Sequence, residues 1–142
     1  EMGGRYEIFV AGVGTGGTFT GTAKYLKEQN KKLYAVAVEP KNSAVLSGGK
    51  SGAHGLQGIG AGFVPSIYDA SVVDEVFCVT DEDAMAATRM LAATEGVLTG
   101  FSSGAALHAA AELIRRGGYD GKNVVVLLPD GGERYLSTEL YT

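Results

Sequence analysis

Cysteine occurs once, at Cys78, so no internal disulfide framework braces the chain. That cysteine falls inside the apolar run 72–80, which predicts a buried, unreactive thiol rather than a nucleophile. Histidine is scarce too: His54 and His108 are too few and too isolated to argue for a metal site, and no metal is expected. There is no basic run, and few aromatics sit among basic residues, which argues against a nucleic-acid surface. No apolar stretch approaches the roughly 20 residues of a membrane span. No basic segment followed by an apolar core opens the chain, so no secretion signal is visible. With a net charge of −4 and both signs spread along the sequence, the expectation is a soluble cytoplasmic domain that meets neither membrane nor nucleic acid.

What the chain does have is glycine and a regular alternation of strand and helix signals. Its 142 residues are about one domain's worth, and 45% of them are apolar, enough for a buried core. Residues 7–11, 33–38, 72–79 and 123–128 read as strands. Residues 18–29 have helical spacing, with Phe19, Ala23 and Leu26 on one face. A second helix runs from 81 to 95, opened by the capping signal Thr80-Asp81-Glu82-Asp83 and stopped at Gly96. A third spans 105–116 and ends at Gly117-Gly118. Residues 41–66 are rich in Gly and Ser without a clear period, and read as a long functional loop. This order predicts an α/β fold, a mainly parallel sheet with helices on both faces in three layers. Ligands of such sheets bind at the carboxyl ends of the strands. The Gly-rich segments 12–21, 55–62 and 100–104 are expected to converge there.

The first of these segments carries the most chemistry. Val10-Ala-Gly-Val-Gly-Thr-Gly-Gly-Thr-Phe-Thr-Gly21 lies between a strand and a helix, which is the setting of a phosphate cup. Small residues let the backbone approach an anion, and Thr hydroxyls add donors. Residues 12–17 also match Gly-x-Gly-x-x-Gly through Gly12, Gly14 and Gly17, and Glu39 ends the next strand where a dinucleotide fold places its ribose-binding acid. A nicotinamide or flavin site is therefore one reading; a purely steric glycine turn is another. At Gly100-Phe101-Ser102-Ser103-Gly104 two hydroxyls stand before a helix. Either they cap its N–H groups, or one caps while the other faces a ligand.

Four motifs in order resemble one family: Gly14-Thr15-Gly16-Gly17-Thr18; Gln57-Gly58-Ile59-Gly60-Ala61-Gly62-Phe63-Val64-Pro65; Gly100-Phe101-Ser102-Ser103-Gly104-Ala105-Ala106; and Gly132-Glu133-Arg134-Tyr135-Leu136-Ser137-Thr138. Together they look like cysteine synthase, the O-acetylserine sulfhydrylase group of fold-type II (β-family) pyridoxal-phosphate (PLP) enzymes, with cystathionine β-synthase as the nearest alternative. The resemblance covers nearly the whole chain. It implies the large PLP-binding domain of a tryptophan synthase β-like fold, incomplete at its N-terminal side, with residues 1–142 forming the C-terminal PLP-binding domain.

By that resemblance, Gly14, Thr15, Gly16, Gly17 and Thr18 hold the PLP 5′-phosphate. Ser102 meets the pyridine nitrogen, and Gly58 and Gly60 approach the bound amino acid. Glu39 then loses its ribose role and becomes a strand-end acid in a turn. His54 is structural, and His108, within an alanine-rich helix, is a packing or surface residue. The family's Schiff-base lysine stands in a Ser-x-Lys-x-Arg context, and none of Lys24, Lys27, Lys31, Lys32, Lys41, Lys50 and Lys122 does. The expected function is β-replacement of O-acetyl-L-serine by sulfide to give L-cysteine and acetate in the full-length enzyme, with this chain inactive alone. The implied partners are these small substrates, a second copy in a homodimer, and the C-terminal tail of serine acetyltransferase.

Overall fold

The computed structural model describes residues 2–142. Four parallel strands, β1 (Ile8–Gly12), β2 (Tyr34–Pro40), β3 (Glu75–Val79) and β4 (Val124–Val126), form one sheet in the order β3-β2-β1-β4. Three helices, α1 (Gly17–Gln29), α2 (Asp81–Glu95) and α3 (Phe101–Arg116), cover it.

Alternation along the two central strands builds both faces. Ile8, Val10, Val36 and Val38 point to one side, where Ala105, Ala109 and Leu113 of α3 pack on them. Phe9, Ala11, Ala35 and Ala37 point to the other, against Phe19 and Ala23 of α1. Helix α2 lies against α3. A parallel sheet buried on both faces, in three layers, is the architecture the sequence predicts.

The helix punctuation also follows the sequence. Thr80 Oγ1 accepts the Asp83 N–H at 3.1 Å, and Gly96 closes α2 in the left-handed region at φ 68°.

Several boundaries and one burial differ from expectation. The strand placed at 72–79 begins at Glu75, because Ala70–Val72 form a 3-10 turn capped by Asp69. Helix α3 begins at Phe101 rather than Ala105, because Asp130, distant in sequence, takes up the first N–H groups. The strand placed at 123–128 is confined to Val124–Val126. Cys78 is half-buried rather than buried, since β3 is an edge strand.

The long segment after β2 is irregular apart from a 3-10 turn at Lys41–Ser43. Its organiser is Glu39, 1% exposed. The Glu39 carboxylate accepts the Leu46 N–H (2.8 Å), the Ser47 N–H (2.9 Å) and the Ser47 hydroxyl (2.5 Å). A buried carboxylate so supplied with donors folds the loop around itself.

Two predictions follow from the packing. An ideal Cβ on Gly104 would lie 2.2 Å from the Ala84 carbonyl oxygen, so Gly104→Ala forces α2 and α3 apart. The expected loss is about 1–3 kcal/mol in denaturant unfolding. The Asp69 carboxyl is held at about 2, below its ordinary 3.8, by hydrogen bonds from Ser71 and then Lys24. Because the folded value is depressed, its stabilisation is complete above the ordinary value and disappears as pH falls through about 2. Ser71→Ala should raise the Asp69 midpoint in a carboxyl NMR titration.

Candidate functional site

Strand β1 ends at Gly12 and the chain turns into α1 through Val13–Gly16. Gly16 occupies the N-cap in the left-handed region at φ 89°, which favours glycine. No side chain caps this helix and no acid stands in its first turn. The N–H groups at the start of α1 therefore remain available to an anion, supported by the helix dipole. Thr15 and Thr18 are exposed beside them.

This loop lines a cavity of about 180 Å³ with Gly12, Gly14, Gly58 and Ile59, closed on the other side by Leu127 and Pro129. The cavity opens between the carboxyl ends of β1 and β4, where strand order reverses. That is the position at which open α/β sheets bind ligands.

The 55–62 loop forms the facing wall through backbone approach. An ideal Cβ on Gly14 would lie 2.4 Å from the Gly58 carbonyl oxygen, and one on Gly12 would lie 2.7 Å from Ile59 Cγ2. The Gly60 N–H donates to the Val13 carbonyl at 3.1 Å. His54 locks the loop from behind. Its Nδ1 accepts the Leu56 N–H at 3.1 Å, so Nε2 carries the proton and donates to the Gly60 carbonyl at 2.9 Å. Gly60 itself faces away from the main cavity, into a separate narrow gap with Val13 and Gly14.

Ser102 and Ser103 have different surroundings. Ser103 Oγ donates to the Asp130 carboxylate, whereas the Ser102 hydroxyl makes no hydrogen bond among the described residues. Ser102 is 2% exposed, and its Oγ lies 3.8 Å from the Cβ position of Gly58. The structure thus brings Gly14, Thr15, Gly16, Thr18 and Gly58 to one cavity and sets Ser102 next to its wall. Gly17 opens α1 behind the loop.

The dinucleotide reading does not survive this geometry. Glu39 is buried, and its carboxylate is taken by Leu46 and Ser47 rather than turned to a ribose. The contribution of Leu127, Pro129 and Asp130 went unread in the sequence. Pro129-Asp130-Gly131-Gly132 reads there only as a turn, although its place after a strand marks it as a site-edge loop.

The donor set fits a phosphate: oriented N–H groups, two hydroxyls and a floor that a Cβ would fill. Comparison with known proteins agrees. Residues 1–130 match the family described as "Pyridoxal-phosphate dependent enzyme", and the chain belongs to that family. It is 47% identical over 146 aligned positions to cysteine synthase A of Escherichia coli (strain K12), covering 97% of this chain and 45% of that protein. The crystal structure of cysteine synthase (OASS) from Entamoeba histolytica superposes with a TM-score of 0.94 at 45% identity, over 96% of this chain and 40% of that one. The O-acetylserine dependent cystathionine β-synthase from Helicobacter pylori gives a TM-score of 0.92 at 40% identity, over 99% and 45% of the two chains. The chain thus spans less than half the length of these relatives.

Gly14→Ala should push the Gly58 carbonyl out of place and weaken binding of inorganic phosphate about tenfold. An NMR titration of the wild-type and variant amides measures this.

Proposed function

We propose that this chain forms the phosphate-cup side of a PLP-dependent cysteine synthase, which converts O-acetyl-L-serine and sulfide to L-cysteine and acetate. The observation that carries the reading is the free Ser102 hydroxyl beside Gly58, on the same sheet edge as the uncapped α1 N-terminus. The N–H groups at that N-terminus would hold the cofactor's phosphate, and the Ser102 hydroxyl would serve as the partner of its ring nitrogen. When bound, PLP supplies the electron sink for elimination at the substrate β-carbon. A hydroxyl partner, unlike a carboxylate, would not hold a proton on the ring nitrogen, so Ser102 would keep that sink moderate. Gly14, Thr15, Gly16, Gly17 and Thr18 grip the phosphate. Gly58 would let the 55–62 backbone pass close to the amino-acid substrate, with Gly60 holding that loop from behind through its bond to Val13.

No lysine lines the cavity among the described residues; Lys24 pairs with Asp69 at 2.9 Å and Lys27 with Asp74 at 2.6 Å. The 142 residues alone should therefore show no synthase turnover, in keeping with a C-terminal PLP-binding domain. The likeness to the Helicobacter pylori enzyme favours a second reading, cystathionine β-synthase, in which homocysteine replaces sulfide. A homodimer, a cytoplasmic location and capture of the serine acetyltransferase tail rest on the family resemblance.

Two measurements test the reading. PLP added to the chain should shift the amides of residues 14–18 and Ser102, and NAD should leave them unmoved; NAD binding in place of PLP would sink it. In the full-length enzyme, O-acetyl-L-serine with sulfide should turn over faster than with homocysteine. The reverse order assigns the second reading.

A further inference from the structure

The Asp130 carboxylate gathers the donors at the start of α3. It accepts the Ser102 N–H at 3.3 Å, the Ser103 N–H at 3.0 Å, the Ser103 hydroxyl and the Tyr135 hydroxyl, the last at 3.2 Å. Its own backbone is fixed as well. The Asp130 carbonyl accepts the Gly100 N–H at 3.1 Å, and the Gly132 N–H donates to the Leu98 carbonyl at 3.0 Å. Nothing else fits between these groups: an ideal Cβ on Gly100 would lie 2.1 Å from Asp130 Oδ2 and 2.2 Å from the Tyr135 ring. Tyr135 is 5% exposed and packs edge-on against Phe101, with ring centroids 5.3 Å apart.

This network decides what the Ser102 hydroxyl can do. A serine in the first turn of a helix ordinarily bonds to a nearby backbone group. Here several of those groups already have partners. The N–H groups of residues 102 and 103 go to Asp130. The Leu98 carbonyl takes the Gly132 N–H, and the Gly100 carbonyl takes the Gly104 N–H and the Thr88 hydroxyl. The Ser102 hydroxyl makes no hydrogen bond among the described residues and lies beside Gly58 at the cavity wall.

We propose that Asp130, buttressed by Tyr135, is a positioning residue that keeps the Ser102 hydroxyl unpaired and aimed past Gly58 at the bound cofactor. This rests on the PLP reading of the site. It gives a role to the Gly132–Thr138 motif, which touches neither the cavity nor the glycine loop: Tyr135 is its contribution to the network. The buried phenol also reports the contact, since burial and the neighbouring Asp130 charge raise its ionisation above the ordinary range.

The test uses Asp130→Ala, with Asp130→Asn and Tyr135→Phe as milder variants, read by amide hydrogen exchange and by PLP-induced NMR shifts. In Asp130→Ala, the Ser102 and Ser103 amides should exchange at least about tenfold faster. Its PLP-induced shift at Ser102 should be lost while those at residues 14–18 persist. Asp130→Asn, which retains a carbonyl acceptor, should restore part of the protection and part of the shift. Tyr135→Phe should weaken the Ser102 shift without abolishing it. If Ser102 keeps its full shift and protection in Asp130→Asn and Tyr135→Phe, and in Asp130→Ala where that variant folds, the positioning role is overturned while the PLP reading stands. If PLP leaves residues 14–18 unshifted in the wild-type protein, the cofactor reading fails and the inference falls with it.

Discussion

The Gly58 carbonyl oxygen lies 2.4 Å from where a Cβ on residue 14 would sit, and the site depends on that approach of two backbones. A strand end and a distant loop can meet so closely only if neither presents a side chain. The contact sets the width of the cavity. The bond from the Gly60 N–H to Val13 and the His54 lock on the Gly60 carbonyl hold the loop in that register. Residue 68 braces the other side: its backbone nitrogen lies 3.1 Å from the Cβ position of Gly16. The glycines are therefore fitted between neighbours on several sides rather than left as flexible links.

Charge near this site is used for architecture. Glu39 folds the segment after β2 around its carboxylate, and Asp130 starts α3 from outside that helix. Both acids stand close to the edge where an anion is proposed to bind, and both are surrounded by donors that offset them. Lys24 and Lys27 of α1 are turned to Asp69 and Asp74. What lines the cavity among the described residues is neutral, with peptide groups, Thr15 and Thr18, and the Ser102 hydroxyl stands next to its wall. Such a set recognises an anion by direction, through donors fixed in place by the fold, rather than by a mobile countercharge.

Much of this was legible in the sequence because it is local. Short continuous apolar runs marked the central strands, and the cap at Thr80 and the stop at Gly96 lie next to the residues they govern. The glycine loop declared itself as an anion cup for the same reason. The start of α3 did not, because its cap comes from Asp130, far along the chain, and no local pattern marks that partnership. Glu39 was ambiguous for the opposite reason. Its spacing from the glycine loop matches a ribose-binding acid, and only its burial and its bonds to Leu46 and Ser47 separate that role from loop folding.

The strand order β3-β2-β1-β4 by itself does not choose between cofactors, since it places a crevice between β1 and β4 for any phosphate-bearing ligand. The choice comes from what stands around the crevice. A dinucleotide needs a free acid beyond β2, and that acid is consumed. Beside the cup, the Ser102 hydroxyl has no hydrogen-bond partner among the described residues while its neighbour Ser103 is bound, which is what the proposed cofactor's ring nitrogen requires. Two adjacent serines of the same helix turn thus take different parts because one carboxylate reaches one hydroxyl and not the other. The fold supplies the crevice, and the local accounting of donors and acceptors gives it a preference.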